Sequence, residues 1–197
     1  MKTKILNNFP NIIVFFLTFL ILSCDQKTEE IKTNQKINIL VFSSLTCPHC
    51  ANFHEKVIVK FKKDDSLKNV LNFEHRGFPL DLAALNAEVV VRCQTNNDKK
   101  FELLEEIYNK QKFWAVGSDI NKINDLIKQV GANFDLTEEK MNSCLADDSA
   151  QDEILNQRID AQKKYKIDST PTVIINEKKY TNKVDYKTFK KIIEKNL

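Results

Sequence analysis

Glycine is scarce in this sequence, which has only three glycines among its 197 residues. Gly77, Gly117 and Gly131 are too far apart to form the glycine-rich loop that cradles phosphates in nucleotide-binding enzymes. The sequence also lacks a His-Glu-x-x-His zinc motif and a Gly-x-Ser-x-Gly nucleophile motif. These absences argue against the nucleotide-binding, zinc-peptidase and serine-hydrolase classes.

The sequence also lacks a large excess of positive or of negative residues. Lys and Arg number 30 and Asp and Glu number 27, and the lysines alternate with acidic residues along helix-like stretches. This pattern is typical of a solvated surface, and no basic patch with interleaved aromatics indicates a nucleic-acid partner. A chain of 197 residues with 42% hydrophobic content can bury one sizeable core, so we expect one folded domain and a monomer.

The first residues have the pattern of an export signal. Lys2 and Lys4 form a short positive region, and the run 12–22 is apolar apart from one threonine. The run is too short to span a bilayer comfortably, which disfavours a permanent transmembrane helix. We therefore expect residues 1–23 to be a signal peptide, with a domain that lies in the periplasm or another extracytoplasmic compartment, where disulfides persist.

Cys24 follows the sequence Ile-Leu-Ser, and together these residues resemble the cleavage box of bacterial lipoproteins. In lipoproteins the cysteine becomes the lipidated first residue, so we expect Cys24 to attach the protein to the lipid bilayer. An ordinary cleaved signal and an uncleaved anchor with an incidental cysteine are the alternatives. The polar, charged residues 24–36 have no apolar period and are expected to form a tether.

The Cys-Pro-His-Cys motif at residues 47–50 is the most informative part of the chain. It follows an apolar, strand-like run, 37–42, and opens a helix-like segment, 51–63. At the start of a helix, unpaired backbone N–H groups and the positive helix end stabilise a thiolate, which is the species that attacks disulfides. The motif therefore indicates redox chemistry between Cys47 and Cys50.

The helix that follows predicts different environments for the two sulfurs. Cys50 belongs to an apolar face that recurs at helical spacing and continues through Phe53, Val57 and Phe61. We therefore expect a mostly buried Cys50, acting as the resolving thiol, and a reachable Cys47, acting as the nucleophile.

Cysteine counting then assigns the remaining thiols. The chain has five cysteines. With Cys24 assigned to lipid and Cys47 paired with Cys50, the remaining Cys93 and Cys144 are expected to form a second, structural disulfide.

The order of predicted elements indicates an α/β fold. A strand–helix–strand unit comes first, then a helical block, then strand–strand–helix. This order describes a thioredoxin fold over residues 37–197 with an inserted helical domain at about 80–166. The predicted elements are strands at 37–42, 70–78, 171–176 and 178–181, with a closing helix at 185–196.

Residues 44–54, Ser-Leu-Thr-Cys-Pro-His-Cys-Ala-Asn-Phe-His, resemble the active-site segment of DsbA-like thiol:disulfide oxidoreductases of the thioredoxin superfamily. The exported alphaproteobacterial members are especially similar, and the resemblance covers about residues 37–196. Further family landmarks follow in the same order: Phe78-Pro79-Leu80-Asp81, Arg92-Cys93, Cys144-Leu145 and Ser169-Thr170-Pro171-Thr172.

The resemblance implies roles for individual residues. Cys47 would carry the disulfide exchange, with Pro48 and His49 completing the catalytic motif and His49 stabilising the Cys47 thiolate. Pro171 would be cis and face the active-site disulfide, which exposes the backbone of Thr170 to an extended substrate. Ser43 and Ser44 depart from the aromatic or acidic residues of many relatives, so substrate preference does not carry over.

The sequence thus predicts an exported enzyme that donates its Cys47–Cys50 disulfide to unfolded or reduced client proteins. It would need no diffusible cofactor, and the resemblance implies a membrane-bound partner that reoxidises it. A disulfide isomerase or reductase of the same fold is one alternative, and a non-catalytic, lipid-anchored chaperone or metal carrier is another. His54 and His75 are expected to be ordinary helix-surface and strand-face residues, and no metal site is expected.

Overall fold

The structure, a computed structural model, describes residues 36–67, 69–181 and 185–195. The predicted signal peptide 1–23, the predicted lipidation site Cys24 and all but the last residue of the predicted tether lie outside these residues. None of the helices in the described ranges combines the length and the apolar character needed to cross a membrane.

A four-stranded mixed sheet forms one layer of the fold, in the order β2-β1-β3-β4. β1 and β2 run parallel, as the strand–helix–strand order predicts, while β3 is antiparallel to both β1 and β4. β1 is buried along most of its length because it is paired on both sides. The strands are β1 Ile37–Ser43, β2 Leu71–Gly77, β3 Thr172–Ile175 and β4 Lys178–Tyr180.

The helix after the cysteine motif is interrupted. α1 spans Pro48–Phe53, a π-helical turn follows at His54–Ile58, and α2 completes the segment at Val59–Lys62. The single helix predicted for 51–63 is therefore three segments, because the π turn carries one more residue per hydrogen-bonded loop than an α turn. The predicted apolar face is nevertheless buried, and Ile58, next to Val57, is buried with it.

The predicted helical block is six separate α-helices. Each of the longer ones begins at a side chain that accepts a hydrogen bond from the first turn, as N-cap residues do. Thr137, for example, accepts from the backbone N–H of Lys140 at 3.1 Å. The helices are α3 Leu82–Cys93, α4 Asn97–Asn109, α5 Gln111–Trp114, α6 Ile120–Gly131, α7 Glu138–Leu145 and α8 Asp148–Tyr165.

The core has two main parts, which meet at α1. One part lies between the sheet, the π turn and the closing helix α9, Tyr186–Lys195, and includes Phe53 and Phe189. The other fills the helical block and includes both Cys47 and Cys50. α1 thus contributes to both parts, so the Cys-Pro-His-Cys motif lies at the junction of the sheet and the helical block.

Candidate active site

Cys47 is the N-cap residue of α1, directly after the loop that leaves β1. Its backbone is extended, with φ −80° and ψ 118°, and Pro48 occupies the first helical turn. Proline suits this position because it lacks an N–H group, which would have no partner inside the helix. The carbonyl oxygen of Cys47 accepts the first bonds of the helix, from Cys50 N at 3.1 Å and Ala51 N at 3.2 Å.

The two sulfurs differ less in exposure than the sequence predicts. Cys50 is 1% exposed, as expected for the buried face. Cys47, which we expected to be reachable, is only 8% exposed and also counts as buried. Its thiol donates to the backbone carbonyl of Thr170 at 3.6 Å, so the segment before β3 packs against the sulfur.

The Thr170–Pro171 peptide bond is cis. Cys47 and Thr170 are separated by 123 positions in the sequence, and the fold brings them together at the end of the sheet. The structure therefore juxtaposes the cysteine motif and the Thr-Pro segment. Both cysteines of the motif are free thiols in the structure.

The pKa values of the two thiols are shifted in opposite directions. For Cys47, burial is the largest effect and raises the pKa. The nearby Thr170 hydroxyl and the backbone of Cys50 and His49 outweigh burial and lower the pKa below its ordinary value. For Cys50, burial dominates and raises the pKa to about 12. At neutral pH a proton therefore stays on Cys50 more readily than on Cys47.

Pro48 and His49 are the exposed members of the motif. His49 contributes to the lowered pKa of Cys47 through its backbone N–H group. Its side chain lies at the exposed start of the helix.

The loop before Cys47 is fixed from two sides. On one side, the Thr46 hydroxyl donates to a carboxylate oxygen of Asp81 at 2.7 Å. On the other, Nε2 of the buried Gln111 donates to the carbonyl oxygens of Leu45 and Cys47, at 2.7 and 3.1 Å. Gln111 was not among the residues predicted from the sequence, and a contact across 64 positions leaves no local pattern that could have identified it.

His54 is not the surface residue that the sequence analysis expected. It is 4% exposed, and its ring packs against Phe101 and Tyr108 with ring centroids 5.5 and 4.9 Å away. Burial, reinforced by the neighbouring charge of His75, lowers the pKa of His54 to about 3. The signal was present in the sequence, because His54 lies four positions after Cys50 and therefore on the same buried helix face.

A buried ion cluster lies beside these rings, between β2 and α3. Glu88, 3% exposed, accepts from His75 Nε2 at 2.8 Å and from Arg92 Nε at 3.1 Å. Burial raises the pKa of Glu88, but the charges and hydrogen bonds of His75 and Arg92 outweigh it and hold the pKa at about 2. His75, expected as an ordinary strand-face residue, is half-buried in this cluster.

Cys93 and Cys144 are joined by a disulfide in the structure and are 51 positions apart in the sequence. The bond links the end of α3 to α7 within the helical block. Within the described ranges, His, Cys, Asp and Glu side chains form no group of three or more that could hold a metal ion.

Comparison with known protein families places this arrangement in a class. The family described as Thioredoxin matches residues 32–195, which is most of the chain. The chain therefore belongs to the thioredoxin family.

Individual relatives are named for disulfide chemistry. A Rickettsia bellii protein, provisionally named a protein-disulfide oxidoreductase, is 28% identical over 144 residues, which cover 73% of this chain and 54% of the relative. The chain thus spans about half the length of that relative. Disulfide bond formation protein D of Bacillus subtilis is 27% identical over 178 residues, which cover 84% of this chain and 75% of that protein.

A solved structure extends the similarity to three dimensions. α-DsbA1 of Wolbachia pipientis superposes with a TM-score of 0.72 and 27% identity, covering 82% of this chain and 85% of that one. These similarities confirm the predicted thioredoxin fold with a helical insertion and the resemblance to DsbA-like thiol:disulfide oxidoreductases.

Proposed function

We propose that this protein is an exported thiol:disulfide oxidoreductase of the DsbA type, which donates a Cys47–Cys50 disulfide to client proteins during their oxidative folding. The observation that carries this proposal is the asymmetry of the two sulfurs. The pKa of Cys47 is lowered, whereas the pKa of Cys50 is raised to about 12. A stabilised thiolate is a good leaving group in disulfide exchange, and the names and folds of the relatives agree with this chemistry.

The reaction would begin when a client thiolate attacks Sγ of Cys47 in the oxidised protein. A bond between the client sulfur and Cys47 forms, the Cys47–Cys50 bond breaks, and Cys50 leaves and takes up a proton because its pKa is high. A second client thiolate then attacks the client sulfur of this mixed disulfide, and Cys47 leaves as a thiolate. The client gains a disulfide and loses two electrons, which remain on the protein as a dithiol.

Unfolded chain segments are the clients that the surroundings of Cys47 favour. The backbone of Thr170, beside the cis Pro171, would pair with an extended segment. The backbone N–H of Leu80 donates to the hydroxyl of Ser44, in the loop before Cys47, at 3.3 Å. The apolar side chains of Leu80 and Leu82 are 54% and 53% exposed. Apolar surface beside a redox site suits hydrophobic segments that a folded client would bury.

Export and membrane attachment belong to the proposal through the sequence of the first 24 residues. Lipidation at Cys24 would hold the protein at a membrane, because two or three acyl chains anchor a protein stably. Replacing Cys24 by Ser in the native host should change processing and abolish labelling with a radioactive fatty acid. Persistent labelling of the variant would contradict the lipoprotein assignment. A membrane-bound partner would accept the two electrons after each turnover.

Client oxidation tests the proposed activity. Oxidised protein mixed with a reduced, unfolded client should generate one client disulfide per protein molecule. Cys47→Ala should be inactive, and Cys50→Ala should accumulate a mixed disulfide with a disulfide-bearing client because the resolving thiol is missing. Net reduction or reshuffling of client disulfides without net oxidation would favour the reductase or isomerase alternative, and no thiol exchange at all would favour a binding protein.

A further inference from the structure

Gln111 links the helical block to the active-site loop. It is the first residue of α5, is 7% exposed, and donates from one amide nitrogen to the carbonyl oxygens of Leu45 and Cys47. The position of α5 is itself fixed by Trp114, whose side chain is fully buried and donates from Nε1 to Ile107 O at 2.8 Å. Gln111 therefore reaches the loop from a well-anchored segment.

The carbonyl oxygen of Cys47 accepts hydrogen bonds from several donors. It accepts from Gln111 and also from Cys50 N and Ala51 N, which start the helix. The orientation of this peptide unit decides where the sulfur of Cys47 lies relative to the backbone N–H groups of His49 and Cys50. Those groups favour the thiolate, so the carbonyl contact acts on the reactive atom through the backbone.

The second contact that fixes the loop, between Thr46 and Asp81, differs from the contacts of Gln111. Thr46 and Asp81 interact through exposed side chains, where water competes for the same hydrogen bonds. The contacts of Gln111 are buried, and the Leu45 carbonyl would lose the amide donor and retain the full cost of desolvation, whereas the Cys47 carbonyl would keep its two helix-start donors. Removing the Gln111 amide should therefore force the loop to move, whereas removing the Thr46 contact need not.

We propose that Gln111 is a positioning residue for Cys47: by holding the carbonyls of Leu45 and Cys47, it keeps the Cys47 sulfur against the N–H groups at the start of α1 and so sets its reactivity. This inference rests on the proposed function, because it assigns part of the activation of Cys47 to the helical block. It requires no client, since it concerns the thiol alone.

Gln111→Met tests the proposal, because methionine preserves the shape of glutamine and removes its donors. Gln94→Met is the matched control, since Gln94 is also a buried glutamine that donates to a backbone carbonyl, that of Phe134, and has no hydrogen bond to the Cys47–Cys50 segment. In the reduced proteins, the pH dependence of Cys47 alkylation should shift upward by about one unit in Gln111→Met and stay unchanged in Gln94→Met. One unit is a tenfold change in thiolate population and makes the disulfide about 30 mV less oxidising.

A lower melting temperature of Gln111→Met with an unchanged alkylation profile would make the role merely structural and overturn the proposal. If Gln111→Met does not fold, Gln111→Asn retains an amide but sets it back by one methylene, and the same upward shift is expected from it. An unperturbed Cys47 in the unmodified protein would contradict the proposed function itself. An activated Cys47 that is indifferent to both substitutions would contradict only the assignment to Gln111.

Discussion

The burial of His54 predicts that the protein loses stability in mild acid. The pKa of His54 is about 3 in the folded protein, against an ordinary value of 6.5 that the unfolded chain should show. Below pH 6.5 the unfolded state therefore binds a proton that the folded state does not accept until about pH 3. The contribution of His54 to the free energy of unfolding is therefore fully present above pH 6.5 and falls progressively as the pH drops from 6.5 to about 3.

The magnitude follows from the same two values. Between pH 7 and pH 5 the loss should be about 2 kcal/mol, a large fraction of the stability of a typical domain. Glu88 adds little to the loss between pH 7 and pH 5. Its pKa falls from 4.5 to about 2 on folding, so its contribution to the free energy of unfolding is lost only at lower pH. Urea unfolding at a series of pH values between 7 and 5 measures the loss directly.

His54→Phe is the comparison that isolates this residue. Phenylalanine preserves a ring against Phe101 and Tyr108 and cannot titrate. The unfolding free energy of the variant should decline by about 2 kcal/mol less than that of the unmodified protein over the same pH range. Contributions from the reduced Cys47 are common to both proteins and cancel in the difference. Parallel pH profiles for the two proteins would refute the reasoning.

Two further predictions concern the helical block and its contact with β2. Replacing both Cys93 and Cys144 by Ser should lower the free energy of unfolding by about 4 kcal/mol, because the disulfide closes a loop of 51 positions. An unchanged midpoint of urea unfolding would contradict this prediction. Gly77→Ala would place a Cβ atom 2.6 Å from the Glu88 carboxyl carbon, so the ion cluster must shift, at a cost of about 1–3 kcal/mol. In the double variant Gly77→Ala/Glu88→Ala the two costs should be less than additive, and strict additivity would argue against this contact as the cause.

The sequence predicts best what depends on local pattern. Apolar runs located the strands, and the spacing after Cys50 indicated a buried helix face. The Cys-Pro-His-Cys motif and, through the family resemblance, the distant Thr-Pro segment indicated the candidate active site, and the structure brings these two segments together. The strands and the buried helix face depend on backbone hydrogen bonding and side-chain periodicity, which act over a few residues.

What the sequence could not supply depends on packing between distant segments. Glu88 and Arg92, four positions apart, have the spacing of a solvated helical ion pair, but β2 passes so closely at Gly77 that the carboxylate is buried. The π turn at His54–Ile58 interrupts a helix whose sequence contains no proline or glycine at that point. The low exposure of Cys47 likewise reflects its contact with Thr170, which lies 123 positions later in the sequence.

The reduction potential of the Cys47–Cys50 pair tests the central claim most directly. A stabilised Cys47 thiolate lowers the energy of the reduced protein, so equilibration with glutathione buffers should give a potential at the oxidising end of the family range, between about −120 and −180 mV. The reduced protein should correspondingly unfold at a higher temperature than the oxidised one. A potential near −270 mV, with the oxidised form the more stable, would contradict the assignment as a disulfide donor and indicate a reductase instead.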